Sequence, residues 1–142
     1  MSLPPNADRN CSILVIEDDI LVAEFMVSML MDEGYTVYQA GTAEEAVKSL
    51  ASRKFNLVLC DLALPGMMDG LSLARSLRMS NPAVPILLVT GYGDRAADAA
   101  PDFIVLKKPF GIAELGRIVA WALRNGGTPY LGMGQPSGRD LH

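Results

Sequence analysis

This sequence contains few histidines and cysteines and has no excess of positive charge. Each of these features argues against a class of function. The one histidine, His142, is the last residue, so the chain has no internal imidazole with which to act as a histidine phosphodonor. Twelve basic residues stand against 16 acidic ones, which gives a net charge of −4. This balance lacks the basic surface that direct nucleic-acid binding requires, so we expect no nucleic-acid partner.

Long hydrophobic runs are missing as well. No apolar stretch approaches the roughly 20 residues that span a bilayer. The first ten residues, MSLPPNADRN, lack both the basic start and the apolar centre of a signal peptide. We therefore expect a cytoplasmic protein with no membrane partner.

Only two cysteines are present, Cys11 before the first predicted strand and Cys60 at the end of the third. If these strands are parallel, the two residues lie at opposite ends of the sheet, roughly 15 Å apart or more. A disulfide requires Cα atoms within about 7 Å of each other. Both cysteines are predicted to be reduced, structural residues.

What the sequence does contain is a regular alternation of two patterns. Short apolar runs, typical of strands buried on both faces, alternate with longer segments of helical spacing. The predicted strands are Ser12–Ile16, Thr36–Ala40, Asn56–Cys60, Ile86–Thr90 and Phe103–Leu106. The predicted helices are Ile20–Glu33, one capped by Thr42, Asp69–Met79, a short fourth helix over Asp94–Ala100, and Gly111–Arg124. This order predicts an α/β fold in which a doubly wound, five-stranded parallel sheet carries helices on both faces.

The length of 142 residues fits one domain. We predict an N-terminal extension over residues 1–10, the folded domain over 11–125, and a disordered tail over 126–142 that is rich in glycine and proline and has no periodicity. Such an end favours a stand-alone chain.

In the last helix, a core stripe is predicted over Ile112, Leu115, Val119 and Ala122. Ile118 and Trp121 lie to one side of this stripe, as rim core or as a docking face.

Polar residues follow the strands at the edge where parallel α/β sheets bind ligands. Glu17 and Asp18 end the first strand, Asp61 the third, Thr90 the fourth and Lys108 the fifth. Two carboxylates about 4 Å apart repel by about 4 kcal/mol at an effective dielectric near 20, so such a group favours a cation. Hard oxygen ligands suit Mg²⁺, and a carboxylate can accept a phosphoryl group as an acyl phosphate. The set predicts phosphoryl transfer onto Asp61.

Four segments, LVIEDD, LCDLALPGMMDG, LLVTGYGD and VLKKPF, resemble the successive signature blocks of response-regulator receiver domains, the phosphorylated switches of bacterial two-component systems. The resemblance extends from about Ser12 to Arg124, in the correct order and spacing. It implies a flavodoxin-like fold of strand order 2-1-3-4-5. It also implies a histidine kinase or phosphotransfer protein as phosphodonor, a downstream protein that the sequence does not name, and a signalling switch rather than an enzyme.

The resemblance also implies a role for each site residue. Asp61 is the phospho-acceptor, Thr90 the switch hydroxyl and Lys108 the contact to the phosphoryl group. Glu17, Asp18, Asp61 and the backbone carbonyl of Ala63 hold Mg²⁺. The Lys-Pro peptide bond of the family is cis, so we expect a cis bond at Lys108-Pro109.

The acidic run permits two registers, since Asp18 can pair with Glu17 or with Asp19. The end of the apolar strand favours Glu17 and Asp18, which leaves Asp19 to cap the first helix.

Departures from the family pattern accompany these matches. The loop after Asp61 carries one extra residue, since Gly66 follows Pro65, and the usual aromatic three residues before the lysine is Val105. The Thr-Gly-Tyr sequence after strand four is similar to that of a stand-alone alphaproteobacterial subgroup, although two preceding residues differ from its motif. Val105 puts the usual coupling of hydroxyl to aromatic ring in doubt.

Other functions can be weighed against the switch. A haloacid-dehalogenase-type phosphatase would need a second aspartate two residues after the nucleophile, where this chain has Ala63. A flavodoxin-like cofactor binder would need a phosphate loop at a helix N-terminus, and no such motif is present. A phosphorylation-independent binding module of the same fold stays open because of Val105. The first helix is apolar nearly all round, which permits a homodimer or partner contact.

Overall fold

Five strands alternate with helices in the computed structural model of the chain, which describes residues 11–66, 68–91 and 103–125. The strands are β1 (Ser12–Ile16), β2 (Thr36–Ala40), β3 (Leu57–Asp61), β4 (Ile86–Thr90) and β5 (Ile104–Lys107). The helices of these ranges are α1 (Ile20–Asp32), α2 (Ala43–Ser52), α3 (Gly70–Ser80) and α4 (Ile112–Asn125). All strand pairs are parallel and their order is β2-β1-β3-β4-β5, so the predicted topology is confirmed.

The sheet separates two hydrophobic half-cores because successive residues of a strand point to opposite faces. In β1, Ile13 and Val15 pack with α1 and α4, while Leu14 and Ile16 pack with α2 and α3. The central strand β3 is buried at all five positions, as expected for a parallel sheet covered on both sides. The two half-cores hold the five strand ends in a fixed arrangement.

Both ends of α1 are capped, the N-terminus by Asp19 as predicted. Asp19 accepts hydrogen bonds through Oδ1 from the amides of Leu21 (3.0 Å) and Val22 (3.2 Å) at the helix N-terminus. At the other end Gly34 adopts φ 102°. The amide of Gly34 donates to Met31 O and the amide of Tyr35 to Leu30 O, the pair of hydrogen bonds that defines a Schellman motif.

The N-terminus of α2 is capped by Thr42, as predicted, in a variant of the capping box. The hydroxyl of Thr42 accepts from the amide of Glu45 at 3.1 Å. The carboxylate of Glu45 accepts in return from the amide of Gly41 at 2.6 Å, one residue before the cap. Two amides at the helix entrance are satisfied in this way.

The predicted stripe of α4 is wrong at one position. Leu115, Val119 and Ala122 are buried, but Ile112 is 60% exposed and Ile118 is buried in its place. Ile112 is the first residue of the helix, so its side chain lies in a groove beside α1 rather than under the sheet. Trp121 is partly buried against the same half-core, which agrees with rim packing.

Cys60, which is buried, and Cys11, which is partly buried, are thiols rather than halves of a disulfide. The helix predicted over Asp94–Ala100 lies outside the described residues, as do the predicted extension 1–10 and tail 126–142. Within the described ranges no helix is long and apolar enough to cross a membrane.

Candidate acidic site at the carboxyl edge of the sheet

Sheet pairing brings the predicted site residues to one edge. Asp61 pairs with Val89 one residue before Thr90, and Thr90 pairs with Lys107 one residue before Lys108. The Lys108 amide donates to Thr90 O at 2.7 Å, which ties the end of β5 to the end of β4. The structure therefore collects the residues predicted from the strand ends.

Three carboxylates form the centre of this edge. One oxygen from each of Glu17, Asp18 and Asp61 lies within 4.8 Å of the others. Glu17 and Asp61 are each 3% exposed, whereas Asp18 faces solvent. Asp19 is occupied as the cap of α1, so the geometry leaves Glu17 and Asp18 as the pair beside Asp61.

The ammonium of Lys108 lies between the two buried carboxylates. Its Nζ is 3.0 Å from Glu17 Oε1 and 3.4 Å from Asp61 Oδ2. Burial lowers the pKa of Lys108, but the hydrogen bonds and negative charges of Glu17 and Asp61 outweigh it, so the net shift is upward. Lys108 therefore stays charged and offsets part of the negative charge of the site.

One ammonium does not neutralise the cluster. Burial, followed by the neighbouring Asp61 carboxyl, raises the pKa of Glu17 from 4.5 to about 7, although Lys108 and the amide of Asp19 act in the opposite direction. A further cation among these oxygens would remove this penalty on the charged form. The donor set of carboxylates with one exposed member fits Mg²⁺, which uses one or two carboxylates and keeps several waters.

The loop after β3 stays close to the Asp61 carboxylate. The amide of Ala63 donates to Asp61 Oδ1 at 3.0 Å, which holds the backbone of the predicted fourth ligand beside Asp61. The two Asp61 oxygens thus have different partners, since Oδ2 faces Lys108.

The remaining predicted features of the site are also in place. Thr90 is fully buried at the end of β4, and its hydroxyl donates to Gly91 O at 3.2 Å. The Lys108-Pro109 peptide bond is cis, as the family resemblance predicts. Val105 is half-buried and packs with the half-core of α2 and α3, so an aliphatic side chain occupies the position of the usual aromatic.

Strand order, acidic cluster and lysine together define a receiver-domain architecture, and comparison with known proteins agrees. The model of the response regulator receiver domain family matches residues 13–120, and the chain belongs to this family.

Relatives of known sequence include the transcriptional regulatory protein PmrA of Pectobacterium parmentieri, 38% identical over 123 residues, which cover 82% of this chain and 54% of the relative. The response regulator protein FleR of Pseudomonas aeruginosa is 38% identical over 114 residues, which cover 76% of this chain and 24% of the relative. The chain thus spans at most about half the length of these relatives.

Solved structures show the same fold. The receiver domain of NtrX from Brucella abortus matches with a TM-score of 0.73 and 27% identity, over 79% of this chain and 98% of that one. A response regulator receiver protein from Sinorhizobium medicae matches with a TM-score of 0.74 and 29% identity, over 81% and 95% of the two chains.

One neighbour of Asp61 was not predicted. Gly70 begins α3 directly against the backbone of Asp61, so closely that a Cβ at this position would overlap Asp61 O. In the sequence, the only sign of this residue is an Asp69-Gly70 pair that lies one position later than in the commonest spacing of the family motif. Hydrophobic periodicity in a sequence gives no sign of such a close approach between two segments of backbone.

Proposed function

We propose that this chain is a phosphorylation switch that accepts a phosphoryl group on Asp61 and changes its binding to a protein partner. The observation that carries the proposal is the site itself: a buried aspartate within 4.8 Å of two other carboxylates and 3.4 Å from a lysine ammonium. Membership of the receiver domain family supports the same function. The phosphodonor is a phosphohistidine of a histidine kinase or phosphotransfer protein.

In the transfer step, a carboxylate oxygen of Asp61 attacks the phosphorus atom and forms the P–O bond of an acyl phosphate. The P–N bond to the donor imidazole breaks, and its electron pair stays on that nitrogen, which takes up a proton. The Lys108 ammonium lies close enough to Asp61 to hydrogen-bond the arriving phosphoryl oxygens. Thr90, at the neighbouring strand end, would supply the hydroxyl that responds to the phosphoryl group.

Glu17, Asp18, Asp61 and the carbonyl of Ala63 would hold Mg²⁺. The ion supplies electrostatic stabilisation of the transferred phosphoryl group. Because Ala63 replaces the second aspartate that phosphatases of similar geometry use, the chain offers no side chain there for rapid hydrolysis. The chain at most catalyses its own phosphorylation and dephosphorylation, and the acyl phosphate persists long enough to signal.

A groove beside the site suits a protein donor. It encloses about 340 Å³ and is lined by Leu21, Val22, Phe25, Lys108, Pro109 and Phe110. Leu21 is 77% exposed, so its apolar side chain is open to a partner surface. The lining is apolar apart from Lys108, so an apolar protein surface that carries the phosphohistidine could cover it.

Intact-mass measurement tests the acceptor. The protein is incubated with acetyl phosphate with and without Mg²⁺, as wild type, Asp61→Asn and Asp69→Asn. Asp69 caps α3 through the amide of Ser72, a role asparagine also fills, so Asp69→Asn is the matched control. We expect one phosphoryl adduct that requires Mg²⁺, is absent from Asp61→Asn and is retained in Asp69→Asn. An adduct of equal yield in Asp61→Asn would refute the assignment.

A binding module of the same fold that works without phosphorylation is the second candidate, because Val105 replaces the aromatic of the usual switch. Amide chemical shifts with beryllofluoride and Mg²⁺ separate the two. We expect shifts in the loops after β3 and β4 for the switch. Wild-type protein that takes up no phosphoryl group, from acetyl phosphate or from a phosphorylated kinase, would favour the second candidate.

A further inference from the structure

The start of α3 makes unusually close contact with the acceptor strand. Besides the overlap with Asp61 O, a Cβ at position 70 would lie 2.6 Å from Leu62 Cα and 2.7 Å from the carbonyl carbon of Asp61. All three atoms belong to the backbone, which cannot rotate away as the end of a side chain can. Any residue other than glycine must therefore displace α3 or the strand end.

Gly111, which lies immediately before α4, gives a contrast within the same fold. A Cβ there would meet no atom within 4 Å. A glycine at a helix start is therefore not by itself a sign of close approach in this chain. Of these two helix starts, only the one behind the proposed acceptor makes the tight contact.

Hydrogen bonds close the loop that this contact delimits. The amide of Leu62 donates to Val89 O at 2.9 Å, and the amide of Gly70 donates back to Leu62 O at 3.1 Å. The fully buried thiol of Cys60 lies 3.6 Å from both Asp61 O and Gly70 O. The two ends of the loop over 63–69 are thus held against one another directly behind the acceptor.

The loop also carries a contact that faces the site. Its first residue, Ala63, donates its amide to Asp61 Oδ1, and its carbonyl is the proposed backbone ligand. A displacement of Gly70 would reach this residue through Leu62, which hydrogen-bonds to Gly70 and precedes Ala63. Supporting contacts of this kind typically change metal affinity by about 10–100-fold when they are lost.

We infer that Gly70 is a positioning residue for the phospho-acceptor site: the missing Cβ lets α3 pack on the backbone of Asp61 and fixes Ala63 relative to the acidic cluster. The inference rests on the proposed function, because it assigns Gly70 to the Mg²⁺ and phosphoryl site. It differs from a merely structural role, in which Gly70 would affect stability alone.

A set of variants separates these roles. Gly70→Ala is compared with Leu77→Ala, which removes a buried side chain further along the same helix, and with Gly111→Ala. Mg²⁺ affinity is measured by calorimetry at a temperature where each variant is folded by circular dichroism. We expect Gly70→Ala to bind Mg²⁺ about 10–100-fold more weakly, and the other two to bind like wild type. Wild-type affinity in folded Gly70→Ala would overturn the inference.

Wild-type protein provides a test if Gly70→Ala does not fold. Coupling between sites is reciprocal, so Mg²⁺ must stabilise the contact that helps to bind it. We expect Mg²⁺ to slow hydrogen exchange of the Gly70 amide more than that of Asn56, whose amide donates to Ser12 O at the far end of the sheet. Equal slowing at both amides would contradict the inference.

Phosphorylation of the same samples distinguishes this inference from the proposed function. If wild type takes up no phosphoryl group from acetyl phosphate or a phosphorylated kinase, the proposed function fails. If wild type is phosphorylated, and Gly70→Ala matches it in both Mg²⁺ affinity and phosphorylation rate, only the role of Gly70 fails.

Discussion

Gly116 offers a substitution whose effect on stability can be worked out from its surroundings. It lies in the interior of α4, where glycine costs roughly 1 kcal/mol relative to alanine. A Cβ at this position would meet one atom closely, Glu33 Oε1 at 3.0 Å. That atom is the end of a flexible side chain, so Glu33 can move aside at small cost. We expect Gly116→Ala to raise the free energy of unfolding by about 0.5–1 kcal/mol.

Urea denaturation followed by circular dichroism measures this change. For a domain of this size, the corresponding rise in Tm is about 2–4 °C. The variant Glu33→Ala provides the matched background, because it removes the one close atom. In that background the same substitution should approach the full gain of about 1 kcal/mol.

Two results would refute the reasoning. Gly116→Ala could lower stability in both backgrounds, in which case the helix itself must tolerate no side chain at this position. Alternatively, the gain could be the same in the wild-type and Glu33→Ala backgrounds, in which case Glu33 does not restrict the site.

Further predictions concern thiols, caps and a surface contact. Cys60 is fully buried, and burial raises the pKa of its thiol. Native protein should therefore react with an aromatic disulfide reagent at Cys11 only, and unfolded protein at both thiols. Rapid reaction of two thiols in native protein would contradict this prediction. Thr42→Ala removes the hydrogen-bond acceptor at the N-terminus of α2 and should lower the free energy of unfolding, measured by urea denaturation, by about 1 kcal/mol. Thr42→Ser keeps the hydroxyl and should lower it little. Equal losses of stability in the two variants would argue against capping. The Arg53 guanidinium lies 4.0 Å from the Tyr38 ring centroid, so Arg53→Ala should cost about 0.5–1 kcal/mol, and this loss should shrink in a Tyr38→Leu background.

The sequence was sufficient to predict which residues meet at the site. Parallel strands joined by helices present their carboxyl ends at one edge, so Glu17, Asp61 and Lys108 could be grouped without coordinates. The bounds were less accurate: β3 begins and ends one residue later than expected, which makes Asp61 part of the strand. This difference does not affect the site, because the last residue of a strand and the first one after it lie at the same edge.

Other details depend on packing that no local pattern encodes. Ile112 fits the spacing of a core stripe, yet the first turn of α4 lies beside α1 and leaves it exposed. Gly70 could be recognised as a glycine of the family motif, but its contact with Asp61 arises from the position of a whole helix. Helix spacing indicates which side of an element is apolar, whereas the depth at which the element packs depends on its neighbours.

The strand order has a consequence for the route by which the chain folds. Strand β1 pairs with β2 on one side and with β3 on the other, and the Ile13–Leu57 pair joins residues 44 positions apart. A nascent chain that has not yet reached Leu57 therefore exposes β1 as an apolar edge, which is prone to aggregation. Closing such a long loop delays folding relative to local contacts. The smallest stable folding unit should thus include β3, and Asp61 at its end would become ordered together with the first three strands.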